Sequence, residues 1–344
     1  MQKKNKKKII ISDATLRDGN HAIKHQINRA QLNIYCKAAE RAGVDIVEVG
    51  HGNGIGASSI QVGLSNLADT KMLEICRKIL KKTKLGIHVI PGFATKNDID
   101  NAINIGVDVF RIASHCTEAD ITQKHIEYIR KKNKMVLGVL MMSHMVNKNV
   151  LYDQAKKMKQ YGADGLVLMD SAGAYLPSDV KEKVSYLSRK LKKFPIGFHA
   201  HNNLGLAIAN SVEAVNSGAS MIDGCARGFG AGAGNTQIEV LIAVFNKLKI
   251  RTNVDLYKIL DCGDIAEKFL VKSIPSISST SVVSGLSGVF SGFIKHVIKH
   301  SEKHKVNPRD VFFELGKRNA VAGQEDLILD VVKNLKKSKQ NFIY

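Results

Sequence analysis

No stretch of the 344-residue chain approaches the roughly 18–20 consecutive apolar residues that a membrane-spanning helix needs, so no membrane partner is expected. The basic N-terminus, MQKKNKKK, has no signal-peptide apolar core behind it, and the residues that follow read as a strand. The expected location is therefore the cytoplasm. Cysteine is sparse: Cys36, Cys76, Cys116, Cys225 and Cys262 are scattered and form no C-x-x-C pair. That argues against a disulfide framework or a structural zinc site, and leaves small buried apolar residues as the reading. Aromatic residues make up only 6% of the chain and are not interleaved with the basic ones. The net charge of +20, from 51 Lys and Arg against 31 Asp and Glu, would attract nucleic acid or anionic metabolites. The lysines, however, are spread in pairs over helix faces, as at Lys81-Lys82, Lys131-Lys132, Lys156-Lys157 and Lys192-Lys193. This reads as a solvated surface and not as a specific nucleic-acid site.

What the chain has is an ordinary globular balance, 44% hydrophobic and 24% charged. Short β-branched runs recur, each followed by an amphipathic stretch. The runs predict strands at 8–12, 45–49, 85–90, 107–112, 135–141, 165–169, 196–199 and 220–223. Three-and-four spacing of apolar residues, as in Ala155, Met158 and Tyr161, predicts helices at 29–41, 70–82, 97–104, 119–132, 151–161, 178–193, 206–217 and 236–248. Gly43, Gly106, Gly162 and Gly218 stand where helix C-caps belong. Eight such units in about 250 residues have the size of a (β/α)8 TIM barrel. An open doubly wound sheet is the alternative. The polar residues favour the barrel. Arg17/Asp18/His21, Glu48/His51, Ser114/His115, Ser143/His144, Asp170/Ser171, His199/His201 and Arg227 each follow a predicted strand, and a barrel gathers all strand C-termini at one mouth. Past about residue 265 a Ser- and Gly-rich stretch runs over 273–292, and helical patterns return at 288–303, 308–318 and 325–337. The expected architecture is an α/β chain: a TIM-barrel catalytic domain at 1–265 and a small C-terminal helical domain at 266–344.

The chemistry concentrates in two places. The segment SDATLRDGNH at 12–21 follows an apolar run, Ile9-Ile10-Ile11, and carries two carboxylates, a guanidinium and an imidazole. Such groups are costly to bury unpaired and belong at the mouth of a site. His199-Ala200-His201 ends the seventh predicted strand, where alternation points residues i and i+2 to one face. With Asp18 they make a facial set that could hold a divalent ion and leave room for substrate. Such an ion is a Lewis acid for a carbonyl oxygen, and Mn2+, Mg2+, Co2+ or Zn2+ all suit a set without thiolate. The plainer reading is that the H-x-H pair only lines a polar strand end. Arg17 can stabilise charge developing on an oxygen, or stand in a structural ion pair with Asp13 or Glu48. His21 is a candidate general base, since imidazole titrates near neutral pH. The glycine-rich 228–235 segment does not match G-x-G-x-x-G. It could receive a carboxylate or phosphate at a helix N-terminus, or serve tight packing at the barrel rim.

These residues give the chain a resemblance to the metal-dependent aldolases and Claisen-type lyases and synthases that share a D-x-T-L-R-D-G motif on a TIM barrel. The matching segments are Asp13-Ala14-Thr15-Leu16-Arg17-Asp18-Gly19 and His199-x-His201-Asn202. Within that superfamily the chain is similar to the 4-hydroxy-2-oxovalerate aldolase family, through RDGNHAIKHQ (17–26), HCTEADI (115–121), LMMSHM (140–145), HAHNNL (199–204), GAGAGN (230–235) and GQEDLI (323–328). Claisen condensing enzymes usually carry Glu-Gln where this chain has Asn20-His21.

The resemblance implies cleavage of a 4-hydroxy-2-oxoacid to pyruvate and an aldehyde, acetaldehyde in the parent case. It implies Mn2+ as the preferred ion, Mg2+ or Co2+ as substitutes, and Asp18, His199 and His201 as its ligands. Arg17, Asp18, Ser171 and His199 would contact substrate, His21 would take the 4-hydroxyl proton, and Arg17 would stabilise the enolate. The C-terminal helices would dock an acylating acetaldehyde dehydrogenase that receives the aldehyde through a channel, in the catabolism of aromatic hydrocarbons. One departure stands out. Phe290, in Gly288-Val289-Phe290-Ser291, occupies the place of a substrate-contacting tyrosine that the family associates with control at C4. The ring is kept and a hydroxyl is lost, worth about 0.5–1.5 kcal/mol for a typical hydrogen bond. A different aldehyde, in a biosynthetic pathway, is therefore an alternative. So is a Claisen-type acyl-CoA/2-oxoacid condensing enzyme or lyase, which would release thiol from acetyl-CoA.

Overall fold

Eight short strands pair in parallel and in chain order, and the last pairs with the first to close a barrel. They are β1 (Ile10–Leu16), β2 (Ile46–Val49), β3 (Lys84–Val89), β4 (Val109–His115), β5 (Met135–Met141), β6 (Gly165–Asp170), β7 (Ile196–Ala200) and β8 (Met221–Gly224). The computed structural model describes residues 8–271 and 273–341, with side chains as far as 337; the basic N-terminal stretch at 1–7 and the last part of the expected helical domain lie outside them. Between the strands run α1 (Arg29–Ala42), α2 (Asp69–Ile79), α3 (Lys96–Ile105), α4 (Gln123–Lys131), α5 (Lys148–Gln160), α6 (Pro177–Lys190) and α7 (Ala207–Asn216), and α8 (Ile238–Lys247) follows β8. The TIM-barrel reading is therefore correct and the open sheet is not. Local chemistry explains the helix ends. Asn28 with Gln31, and Thr95 with Asp98, form reciprocal capping boxes for α1 and α3, while Gly43 and Gly106 close both helices in the left-handed conformation.

The strands are buried on both faces. Alternate residues pack outward against the helices, among them Ile11, Val47, Leu85, Ile87, Phe110 and Phe198. The inward set is layered. Ile46, Val109, Leu137, Val167 and Met221 fill the lower interior with aliphatic side chains. Two residues further along three of these strands stand Glu48, Arg111 and Asp223, all buried. The period of two thus carries the interior from apolar to charged within one step of the pleat.

Two differences from the expected elements have clear causes. The predicted first strand stops at 12, whereas β1 continues through Leu16 and takes in the polar motif. Asp13 is satisfied within the strand layer, accepting from the Thr15 amide at 2.9 Å and from Tyr35 of α1 at 2.7 Å. The β1–β2 register then shifts between Asp13 and Leu16, an irregularity of the kind that re-aims side chains beside active sites. The second difference is α9 (Leu256–Phe269), which periodicity did not predict. It packs on α1 and buries Ile259, Cys262 and Ala266 in the layer outside the barrel.

Beyond α9 come α10 (Ser279–Leu286), α11 (Ile294–His304), α12 (Pro308–Lys317) and α13 (Asp326–Asn341). α10 lies in the Ser- and Gly-rich stretch and starts from a Ser278/Ser281 capping box. At Gly285 the helix comes close enough to the barrel that a Cβ would meet Leu204, Asn203 and Gly173 at 3.0–3.1 Å. Close approach, not helix propensity, selects the small residues there. Val289, Phe293, Val297, Phe312, Leu315, Ile328 and Val332 make a second apolar cluster among these helices. All five cysteines are buried and none forms a disulfide. Among the described residues no helix is long and apolar enough to cross a membrane.

The packing of α9 is directly testable. Ile259→Ala removes a fully buried side chain and should lower the unfolding free energy by about 2–5 kcal/mol, read as a shift of the urea midpoint. A loss below 0.5 kcal/mol would mean that α9 is not part of the barrel's core.

Candidate active site

At the C-terminal ends of the strands lies a cavity of about 400 Å³, whose wall includes Arg17, Asp18, His21, His88, His201 and Phe290. The loop after β1 supplies the first three. Asp18 begins a short 3-10 turn that ends at His21, and Asn20 pins that turn by donating to the Gly50 carbonyl at 2.7 Å. The ring of His21 lies against Gly52, where a Cβ would fall 2.5 Å from Nε2, so a glycine is needed at 52.

Asp18, His199 and His201 are all buried, and one ligand atom from each lies within 4.8 Å of the others. His199 gives Nδ1 to Asp223 at 3.0 Å, which leaves Nε2 facing Asp18 at 3.8 Å. Nε2 of His199 and Nδ1 of His201 have no hydrogen-bond partner although both are buried. Two orphaned imidazole nitrogens beside a carboxylate fit a divalent cation, and the carboxylate tied to the far nitrogen of His199 is the usual orienting partner of a metal-binding imidazole. Asp18 is itself held on both sides, accepting from Asn235 at 3.0 Å and from Arg17 at 2.6 Å.

Arg17 is nearly inaccessible. Nε donates to Glu48 at 2.8 Å and Nη1 to Asp18, while Nη2 has no protein partner. Of the two carboxylates named as alternative ion-pair partners for it, Glu48 is paired with it and Asp13 is not. Glu48 also pairs with Arg111, which pairs in turn with Asp223 at 2.5 Å. A continuous chain of charges therefore runs Asp18–Arg17–Glu48–Arg111–Asp223, and Asp223 in turn holds the His199 imidazole.

The electrostatics follow from this chain. Burial pushes the Asp18 carboxyl up, but the charge of Arg17, then His201 and His199, more than reverses this and leaves it well below the usual carboxylate range. Burial opposes the Arg17 charge too, and Glu48 and Asp18 outweigh it, so the guanidinium stays ionised. Burial pushes His21 and His201 down to about 4, against the pull of Asp18. His25 and His51 stack at 3.7 Å between ring centroids, with His21 5.0 Å from His25, and burial takes His25 to about 2.

The remaining polar clusters do not all reach the cavity. Ser171 is buried, its hydroxyl accepts the Met142 amide at 3.0 Å, and it is not part of the cavity wall. Asp170 accepts the Ala174 and Tyr175 amides, Ser143 donates to the Met169 carbonyl, and His144 bonds the Gly288 carbonyl. His115 bonds Thr117, and Arg227 points away to Glu239, Asp264 and Glu267. In the glycine-rich segment, a Cβ at Gly230 would meet Asn235 and Asp18, and one at Gly232 would meet Asn203 at 2.6 Å, which is tight packing at the rim. Sequence reasoning did not single out His88, Arg111, Asp223 or Asn235. The available signal was a lone polar residue at an inward position of an apolar strand, as in Phe110-Arg111-Ile112. From the C-terminal helices, Phe290 and the turn at Ala322, Gly323 and Glu325 help close the cavity, and Lys295 of α11 donates to the His21 carbonyl.

Comparison with known proteins gives the family and the fold. The HMGL-like family profile matches residues 8–265, and the profile of the DmpG-like communication domain matches residues 275–337. A 4-hydroxy-2-oxovalerate aldolase from Spirochaeta aurantia is 57% identical over 337 residues, 98% of each chain. One from Pectobacterium atrosepticum is 56% identical over 338 residues, again 98% of each chain. Among solved structures, the N-terminal domain of a putative aldolase from Bacteroides vulgatus matches with a TM-score of 0.73 at 25% identity, covering 86% of this chain and 98% of that one. The carboxyl transferase domain of Rhizobium etli pyruvate carboxylase, solved with pyruvate and biocytin, reaches a TM-score of 0.83 at 14% identity, covering 97% and 61%, and shares the fold.

Two outcomes follow from the buried charges. Arg111→Met strands Glu48 and Asp223 and should cost about 3–5 kcal/mol of stability in a denaturant titration; a change under 1 kcal/mol would show the chain of pairs to be dispensable. The second concerns acid. His21, His25, His144 and His201 are held below an ordinary value near 6.5, at about 4, 2, 4 and 4. The unfolded chain therefore binds more protons below pH 6.5, and stability must fall as the pH drops from 6.5 toward 4. Each group contributes up to about 1.4 kcal/mol per pH unit. A melting temperature of metal-free protein that stays flat from pH 6.5 to 4.5 would contradict the neutral burial of these imidazoles.

Proposed function

The chain belongs to the HMGL-like family and, within it, to the 4-hydroxy-2-oxovalerate aldolases, and from that premise we propose a divalent-metal-dependent pyruvate aldolase. Its reaction is the cleavage of 4-hydroxy-2-oxovalerate, or a close 4-hydroxy-2-oxoacid, to pyruvate and acetaldehyde or a related aldehyde. The observation that carries this reading is the buried Asp18, His199 and His201 set, of which Asp18 and His201 line the same cavity as Arg17 and His21. These three residues would hold the ion, Mn2+ in this reading, with Mg2+ or Co2+ as substitutes. When bound, it would supply a Lewis acid that draws negative charge toward the substrate's oxo group.

The protein's own groups divide the remaining work. Asp223 fixes His199 with Nδ1 engaged and Nε2 available. Glu48 and Asp18 hold the Arg17 guanidinium by Nε and Nη1, so Nη2 is left as a preorganised donor for the oxygen on which negative charge gathers. His21, kept neutral by burial, is in the form that accepts a proton. It takes the proton of the 4-hydroxyl, and the C3–C4 bond breaks. The electron pair stays with C3 as the pyruvate enolate, C4 leaves as the aldehyde carbon, and C3 is then protonated. Phe290 contributes its ring to the wall without the hydroxyl of a tyrosine.

The helices from α10 onward are assigned to docking an acylating acetaldehyde dehydrogenase, a role supported by the communication-domain match over 275–337. Leu286 and Phe313 are exposed on these helices, 66% and 44%, and are surfaces a partner would cover. A cytoplasmic location and a role in aromatic-compound catabolism belong to the same reading.

The experiment is cleavage of 4-hydroxy-2-oxovalerate with and without EDTA. Chelation should abolish pyruvate release and Mn2+ should restore it; activity indifferent to chelation would contradict the metal role. His21→Ala should lose about 10²–10⁴-fold in turnover while still binding Mn2+, and a loss of only a few-fold would assign the base elsewhere.

A further inference from the structure

The proposed reaction employs Arg17, Asp18 and His201 among the buried polar side chains on the cavity wall. Among the described residues one more buried polar side chain lines it, and that reaction leaves it idle: His88. It stands near the C-terminal end of β3, paired in register with Arg111 of β4 and two residues before Ile90, so both side chains face the interior. Elsewhere on the wall Ile90, Met141, Met169 and Phe290 are apolar, while the polar Asn53, Gln61 and Glu325 are not buried. His88 is 2% exposed, and its Nδ1 has no hydrogen-bond partner.

A wall built to hold a plain alkyl group has no use for an imidazole at this position. An aliphatic residue would pack as well there and leave no nitrogen unpaired. Charge does not explain the residue either. Among the described residues His88 enters no ion pair, and burial, with Arg17 and Arg111 nearby, outweighs the pull of Asp18 and holds it neutral. Each nitrogen of a neutral imidazole donates or accepts according to the tautomer, and a hydroxyl, itself both donor and acceptor, can meet either form. The place of that hydroxyl follows from the other groups. The chelating end of the substrate belongs to β1 and β7 at Asp18, His199 and His201, and the C4 oxygen belongs to His21. The part left for β3 is the substituent beyond C4.

We propose that His88 is a specificity-determining residue that hydrogen-bonds a hydroxyl on the aldehyde-derived end of the substrate. The preferred substrate class is then a 4,5-dihydroxy-2-oxoacid, cleaved to pyruvate and a 2-hydroxyaldehyde, over its alkyl homologue. This inference rests on the aldolase reading and leaves its bond changes as they are: C3–C4 breaks, the C4 hydroxyl proton goes to His21, and the 5-hydroxyl is retained. A site shaped to hydrogen-bond a substrate hydroxyl discriminates against the analogue lacking it, because its own buried polar group is then stranded.

The test runs the full-length, Mn2+-loaded protein in the synthetic direction, adding pyruvate to glycolaldehyde or to propanal, which are equal in size. Wild type should favour glycolaldehyde in kcat/KM by about 10-fold or more. His88→Leu should bring that ratio to or below unity, and His88→Gln, which keeps a donor and an acceptor, should retain part of it. A wild-type preference for propanal, or a ratio that His88→Leu does not move, overturns the assignment. If His88→Leu does not fold, the wild-type ratio and that of His88→Gln decide. Metal-dependent exchange of the pyruvate methyl protons with solvent deuterium, which needs no aldehyde, separates the two levels of the argument. Exchange with an unmoved ratio overturns the role of His88 alone. Absence of exchange and of addition to either aldehyde overturns the aldolase reading, and this inference with it.

Discussion

The chain of buried charges from Asp18 through Arg17, Glu48 and Arg111 to Asp223, which holds the His199 imidazole, is the constraint on which the site depends. It crosses the barrel interior from β1 to β2, β4, β8 and β7, and its two ends meet again where His199 Nε2 faces Asp18 at 3.8 Å. Buried ion pairs contribute little net stability, since desolvation consumes most of the Coulombic gain. Their effect here is geometric. Each arginine is gripped by two carboxylates, so the position of Asp18 is tied to that of His199 through side chains that have no freedom to drift. Three carboxylates and two guanidinium groups leave one negative charge in a low-dielectric interior, and this residual charge suits a divalent cation at the point where the ring closes.

The barrel makes that arrangement possible. Because every strand is parallel, all C-terminal ends open on one mouth, and an inward residue two positions above the aliphatic layer arrives at the level of the charges. The apolar floor below them excludes water from one side. The C-terminal helices complete the other side, with Phe290 on the cavity wall and Lys295 bonded to the carbonyl of His21. The His21 loop is thus held by a residue from the same helices that match the communication domain. Barrel and C-terminal helices line one cavity.

How much of this is legible in the sequence depends on how far apart the cooperating residues lie. Uninterrupted Met135–Met141 has no polar residue to obscure its ends, and β5 is where periodicity places it. β4 runs beyond its expected end because Ala113, Ser114 and His115 stay in the ladder with β5, and β1 runs on because Tyr35 satisfies Asp13 from another element. Both are tertiary effects. α10 escapes a helix prediction because serines and glycine are chosen there for close packing. In the site, Arg17, Asp18 and His21 are legible because one short motif contains them, and His199/His201 because strand alternation gives the pair a meaning. Arg111 and Asp223 are separated by 112 positions, and each is a single polar residue in an apolar run. Their pairing needs the closed barrel. His88 is hidden in the same way.

The central claim is that Asp18, His199 and His201 together bind the ion that the aldol chemistry requires. Its most direct test is electron paramagnetic resonance of the protein titrated with Mn2+. One tight site per chain is expected, with hyperfine coupling to two imidazole nitrogens, one of which disappears in His199→Ala, and a change of the spectrum on adding pyruvate. A spectrum of free aqueous Mn2+ at stoichiometric loading, or a bound spectrum without imidazole coupling, would contradict it.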